Sequence, residues 1–148
     1  GTGGCLSLLP KNISKLPLIV MNGDIISKIN FKNILDFHMK NDNSITMCVR
    51  EYFLQIPYGV VKIKNELVLE FEEKPQIKKF INAGIYILNN DLLKEVKKNE
   101  FKQITSIIEE KLREKKRVMP FPLHEYWIDI GQTDQLKKAK EDIIENKK

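Results

Sequence analysis

Two aspartates in this chain follow short apolar runs. Leu18-Ile19-Val20-Met21-Asn22-Gly23-Asp24 delivers Asp24 just past one run, and Tyr126-Trp127-Ile128-Asp129-Ile130-Gly131 delivers Asp129 at the end of another. Runs of this length suit buried parallel strands, and open α/β sheets bind ligands at the carboxyl ends of such strands. Two carboxylates held there could share a hard divalent cation that also holds phosphate oxygens. Taken singly, each aspartate also fits a turn cap at the end of a strand. Further residues suited to binding lie nearby in sequence. Glu72-Glu73-Lys74-Pro75 places two acids and a base at a strand end. Ile81-Asn82-Ala83-Gly84-Ile85-Tyr86 sets a glycine inside a strand, which often marks close approach of a ligand or another backbone. Tyr58-Gly59-Val60-Val61 has a glycine at a strand start. Gly1-Thr2-Gly3-Gly4 is rich enough in glycine for its backbone to approach a ligand, though at a terminus such a stretch is more often a flexible end.

The elements that must position these residues alternate between strand and helix. Cys5–Leu9 reads as a short helix ended by Pro10, and Leu16–Asn22 as a strand followed by the Gly23-Asp24 turn. Asn30 caps a helix with Phe31, Ile34, Leu35 and His38 at helical spacing. Ser44–Arg50 is β-rich. Tyr58–Lys64 and Leu67–Glu73 form a hairpin around Lys64-Asn65-Glu66. Asn82–Leu88 is another apolar strand. Asp91–Lys98 and Gln103–Lys116 read as helices, the second burying Ile104, Ile107, Ile108 and Leu112 on one stripe. Val118–Leu123 is a proline-bearing edge or loop segment. Thr133 caps a last helix that runs through Leu136, Ala139, Ile143 and Ile144. No repeat, linker or low-complexity tract interrupts this pattern, which describes one α/β domain.

Composition narrows the function classes. The chain has 148 residues, 42% hydrophobic and 30% charged, as expected of a soluble globular protein. Its apolar stretches fall short of the roughly 20 residues of a membrane span, so no membrane partner is expected. Lys and Arg number 25 against 20 Asp and Glu. The excess is spread along Lys-rich helices, without the basic cluster and exposed aromatics of a nucleic-acid binder. A mildly basic site would suit a phosphorylated small molecule. Cys5 and Cys48 offer neither a disulfide framework nor metal-ligand spacing, which fits reduced thiols in a cytoplasmic protein.

Taken in order, Gly-Thr-Gly-Gly, Met-Asn-Gly-Asp, Pro-Tyr-Gly-Val-Val, Glu-Glu-Lys-Pro, Asn-Ala-Gly-Ile-Tyr and Trp-Ile-Asp-Ile-Gly resemble the sugar-1-phosphate nucleotidyltransferase family over nearly the whole chain. The guanylyltransferase-like members, such as mannose-1-phosphate guanylyltransferase, look most similar. The resemblance implies a Rossmann-like mixed sheet flanked by helices, of the GT-A-like kind. It also implies transfer of a nucleotidyl group from a nucleoside triphosphate, GTP favoured, to a sugar 1-phosphate, with pyrophosphate released. On it, Asp24 and Asp129 match the aspartates that bind the catalytic Mg²⁺, and Lys74 a lysine that neutralises the sugar phosphate. Gly59 matches a glycine whose backbone meets the sugar, and Glu73 a carboxylate that accepts sugar hydroxyls. Asn82 and Gly84 lie where the family lines the sugar pocket. Gly1, Thr2, Gly3 and Gly4 resemble the glycine turn packed on the nucleoside.

One departure stands out. The family opens with a strand and a Gly-rich loop ending in Arg-Leu, with Pro-Lys-Pro later, and these cradle the triphosphate. Nothing in these 148 residues matches it. Residues 1–148 therefore read as the C-terminal portion of a single nucleotidyltransferase domain whose N-terminal strands are missing, inactive alone. The Leu18–Asn22 strand should then pair with a second copy or with the N-terminal segment. A non-catalytic sugar-phosphate-binding or regulatory module derived from this fold is the alternative. A glycosyltransferase of related architecture would need Asp-X-Asp at the metal strand, where Met21-Asn22-Gly23-Asp24 has one acid.

Overall fold

Residues 85–88, Ile-Tyr-Ile-Leu, are apolar without interruption, and their burial organises the chain. In the computed structural model, which describes residues 1–10, 16–98 and 100–145, they end strand β6 (Gln76–Leu88). Side chains alternate across a strand. Ile85 and Ile87 therefore join one core cluster, with Cys48, Ala83, Ile34 and Leu123, while Tyr86 and Leu88 join a second, with Leu6, Ile45, Leu92 and Ile107. A strand covered on both faces has no use for polar residues.

The four-stranded sheet runs in the order β1 (Leu18–Met21), β6, β3 (Ile45–Gln55) and β7 (Val118–Pro122). β1 and β3 both lie antiparallel to β6, and β7 lies parallel to β3, so the sheet is mixed, as the resemblance implies. Leu18–Met21 departs from the buried parallel strand that its apolar run suggests. It is antiparallel, occupies the sheet's edge, and leaves Ile19 46% exposed. The second apolar run, β8 (Trp127–Asp129), also pairs antiparallel, with β2 (Ile25–Ser27), in a separate two-stranded ribbon. A three-residue strand cannot announce its partner's direction, and that direction was settled by chain path.

Helix α1 (Phe31–Lys40) starts as expected: Asn30 Oδ1 accepts from the N–H groups of Lys32 at 3.0 Å and Asn33 at 3.3 Å. It buries Ile34 and His38, whose ring lies between Thr46 Oγ1 at 2.8 Å and Asn89 Oδ1 at 3.0 Å. Helix α2 (Ile104–Arg113) buries Ile104, Ile107 and Ile108, but the fourth position of the stripe is Lys111, 3% exposed, and Leu112 is 55% exposed. The i, i+3, i+4, i+7 spacing leads from Ile104 to residue 111. The Lys111 ammonium is held by Glu95 at 2.6 Å and Glu114 at 2.7 Å. Burial pulls its pKa down, yet the bonds to these carboxylates outweigh that and raise it.

Helix α3 (Thr133–Glu145) begins one residue earlier than a Thr133 cap would allow: Gln132 C=O takes the first helical bond, from Leu136 N–H at 3.0 Å. Of its apolar residues only Ala139 is buried. The expected helices at Cys5–Leu9 and Asp91–Lys98 are single 3-10 stretches, Gly4–Leu8 and Asn90–Glu95. β4 (Val60–Lys64) and β5 (Leu67–Glu72) form the expected hairpin, with Asn65 and Glu66 both at positive φ, the requirement of a two-residue primed turn. Among the described residues no helix is long and apolar enough to cross a membrane.

Candidate functional site

Asp24 and Asp129 reach one place because the ribbon that carries them is paired there. Ile25 lies opposite Asp129 in the β2–β8 register, and Ile130 N–H donates to the Asp24 carbonyl at 2.8 Å. Gly131 N–H then donates to Asp129 Oδ1 at 2.8 Å. A Cβ placed on Gly131 would lie 3.1 Å from Asp129 Oδ1 and 3.5 Å from Asp24 Oδ2. Both exposed carboxylates therefore flank the space above one glycine.

They open into a cavity of about 850 Å³ whose lining includes Arg50, Trp127, Gln135 and Lys138. Arg50 is fixed: its Nη1 donates to the Glu125 carbonyl at 2.9 Å, and its Cζ lies 5.8 Å from the centre of the Trp127 ring. Cations and carboxylates thus face the same volume, an arrangement suited to an anion that also carries a metal. Among the described residues there is no group of three or more His, Cys, Asp or Glu side chains placed to hold a metal ion. Two carboxylates are nonetheless the usual protein share for Mg²⁺, which fills its other positions with water and substrate phosphate. Asp24 and Asp129 fit that ion.

The remaining residues singled out in the sequence fall in three other places. Gly59 and Glu73 meet at the hairpin, where a Cβ on Gly59 would lie 3.0 Å from Glu73 Oε2 and 2.6 Å from the Phe71 ring. Lys74 follows at φ 48°, its carbonyl accepting from Gln55 Nε2 at 2.6 Å. Asn82 and Gly84 share a bulge in β6, where the pairing with β3 skips from Met47 opposite Tyr86 to Val49 opposite Asn82. Gly84 adopts φ +70°, and Asn22 packs so closely that a Cβ would lie 2.9 Å from its Nδ2. Asn82 Oδ1 accepts from Gly84 N–H at 3.0 Å, and Asn82 Nδ2 donates to Tyr86 Oη at 2.6 Å. None of these five residues lines the aspartates' cavity. Gly1–Gly4 packs on the start of α2. Gly3 N–H donates to Lys102 C=O at 3.0 Å, and Thr2 Oγ1 accepts from Ile104 N–H at 3.2 Å.

Sequence reasoning missed Arg50, the Trp127 indole, Gln135 and Lys138. Arg50 sits on β3, two residues past Cys48, and nothing local marks it as facing the cavity. Lys138 is one of three lysines on α3 and had no signal of its own.

A mixed, helix-flanked sheet with two carboxylates converging on one glycine turn defines an α/β protein with a cleft lined by both acids and bases. The nucleotidyl transferase family model matches residues 4–146, and the chain belongs to that family. It is similar to glucose-1-phosphate adenylyltransferases of Bacillus cereus, at 28% identity, and Bacillus mycoides, at 29%, each alignment covering 86% of this chain and 37% of the relative. The chain thus spans well under half the length of these curated relatives. Among solved structures, HddC from Yersinia pseudotuberculosis superposes with a TM-score of 0.68 at 25% identity, over 97% of this chain and 62% of that one. A putative glucose-1-phosphate thymidylyltransferase from Bacillus anthracis, solved in complex with a sucrose, matches in fold with a TM-score of 0.67 at 19% identity, over 95% of this chain and 60% of that one.

Proposed function

We propose that this chain supplies the metal and sugar-phosphate side of a sugar-1-phosphate nucleotidyltransferase. The observation that carries the reading is the convergence of Asp24 and Asp129 above Gly131, in a cavity that also holds Arg50 and Lys138. In the reaction, an oxygen of the sugar phosphate attacks the α-phosphorus of a nucleoside triphosphate in line. The bond from that phosphorus to the bridging oxygen breaks, and pyrophosphate leaves. Asp24 and Asp129 would hold Mg²⁺, which offsets the charge building on the α-phosphate. Lys74 neutralises the sugar phosphate, Glu73 accepts sugar hydroxyls, and Gly59 lets backbone approach the sugar. Asn82 retains one amide hydrogen and spare lone pairs beyond its two internal bonds, enough to meet a hydroxyl beside Gly84. Gly1–Gly4 packs on the nucleoside. GTP is the triphosphate favoured by the resemblance, and the adenylyl names of the curated relatives make ATP the first comparison.

The β1 edge supports self-association, or addition of a further strand: Leu18–Met21 is the outermost strand of its sheet and leaves Ile19 exposed. A pyrophosphate-release assay with GTP, ATP, UTP and dTTP against mannose 1-phosphate and glucose 1-phosphate tests the reaction. It is run on this chain alone and with a family-type N-terminal segment added. Turnover that disappears in Asp24→Asn and Asp129→Asn supports the proposal. Sugar-phosphate binding without turnover under either condition would favour the non-catalytic module.

A further inference from the structure

The spacing between Asp24 and Asp129 is set inside the β2–β8 ribbon, by the Ile25–Asp129 pairing and the Ile130 to Asp24 bond. A second distance matters as much: that from the aspartate pair to the β6 bulge carrying Asn82 and Gly84. The bulge takes Ala83 out of the β3 ladder. Its carbonyl accepts instead from Trp127 Nε1, at 2.8 Å, although Trp127 belongs to the ribbon. A buried carbonyl needs a partner, so this bond is specific as well as cohesive. On the other side of the indole, Arg50 places its guanidinium over the ring and donates to the carbonyl of Glu125, two residues before Trp127. The indole is thereby held between β6 and a cation anchored on β3.

We propose that Trp127 is a positioning residue: its indole, pinned by Arg50, sets the distance between the Asp24–Asp129 pair and the Asn82–Gly84 bulge, so that one sugar phosphate can meet both. This rests on the nucleotidyl-transfer reading and adds to it the part that couples the metal side to the sugar side. Loss of the indole N–H leaves the ribbon internally paired, so the metal pair survives, and what suffers is the simultaneous grip on metal and sugar phosphate. A merely cohesive tryptophan would lower stability without separating those two quantities.

Mn²⁺ binding to the full chain, read by electron paramagnetic resonance with and without glucose 1-phosphate or mannose 1-phosphate, tests the assignment. The chains compared are the wild type, Trp127→Phe, Arg50→Lys and, as a control for destabilisation of the same core cluster, Ile34→Val. Trp127→Phe should bind Mn²⁺ alone within about twofold of the wild type. It should lose about tenfold of the tightening that the sugar phosphate produces, the scale of a supporting-residue change at a metal site. Arg50→Lys keeps the charge but not the planar fork, and should lose part of the tightening. Ile34→Val should keep all of it. Full tightening in Trp127→Phe, or weakened binding of Mn²⁺ alone in that variant, overturns the assignment and leaves the nucleotidyl-transfer reading standing. Absence of tightening in the wild type overturns both. Should Trp127→Phe fail to fold, Arg50→Lys decides: tightening equal to wild type overturns the assignment.

Discussion

Replacing Gly131 by alanine should separate metal binding from folding. The new methyl would sit 3.1 Å from Asp129 Oδ1 and 3.5 Å from Asp24 Oδ2, between the two carboxylates. Gly131 is not among the residues at positive φ, so its backbone accepts alanine. The restricted unfolded chain contributes about 0.4–1 kcal/mol of stability, which the tight contact with Asp129 offsets in part. The stability change should therefore stay within about 1 kcal/mol. Binding is another matter. A Mg²⁺ touching both carboxylates at about 2.0–2.1 Å must lie in the space the methyl enters, and its water ligands each need about 30 Å³. Losing room for one such ligand should weaken Mn²⁺ or Mg²⁺ about tenfold, or about 1.4 kcal/mol. Titration calorimetry with Mn²⁺, paired with thermal unfolding of the same variant, reads both quantities. Wild-type metal affinity in Gly131→Ala would refute the placement of the ion between Asp24 and Asp129.

Gly84→Ala meets the opposite situation, since φ +70° is strained for any side chain and the Asn22 amide lies 2.9 Å from the new Cβ. It should cost about 2 kcal/mol in a urea unfolding curve, and an unchanged midpoint would remove the argument. In an active enzyme, Glu73→Ala should raise KM for the sugar phosphate about tenfold with little change for the triphosphate; equal losses for both substrates would count against its role. Burial, reinforced by the negative charge of Glu125, pushes the Cys48 thiol from its ordinary 9.0 to about 12. Cys48 should therefore resist alkylation at pH 8 in the folded chain, where exposed Cys5 reacts, and two thiols should react in denaturant. The same shift has a stability consequence: above pH 9 the folded state keeps a proton that the unfolded state releases, so stability falls as pH climbs from about 9 toward about 12. A flat stability profile over that range would contradict it.

The chain's alternation of strand and helix, the Asn30 cap, the Asn65-Glu66 turn and the Asp24 and Asp129 strand ends were legible from residue types alone. Each is a local matter: a side chain capping its own helix, a polar turn carrying an asparagine suited to positive φ, an apolar run closed by an acid. The ordered motifs added the family for the same reason, since they record backbone requirements residue by residue. Tertiary structure decided what depends on partners. Leu18–Met21 and Ile85–Leu88 are both continuous apolar runs, yet one forms a half-buried edge and the other the centre of both cores, because β6 is flanked by β1 and β3 whereas β1 has one neighbour in its sheet. The stripe of α2 ends on Lys111 because Glu95, from a different element, waits there with Glu114 to take its charge. Asp24 and Asp129, 105 positions apart in the chain, share one glycine because β2 and β8 pair, and Arg50 joins their cavity because the Trp127 ring lies over it. Those meetings are set by long-range pairing between short strands, whose sequences carry too few residues to specify which partner they will find.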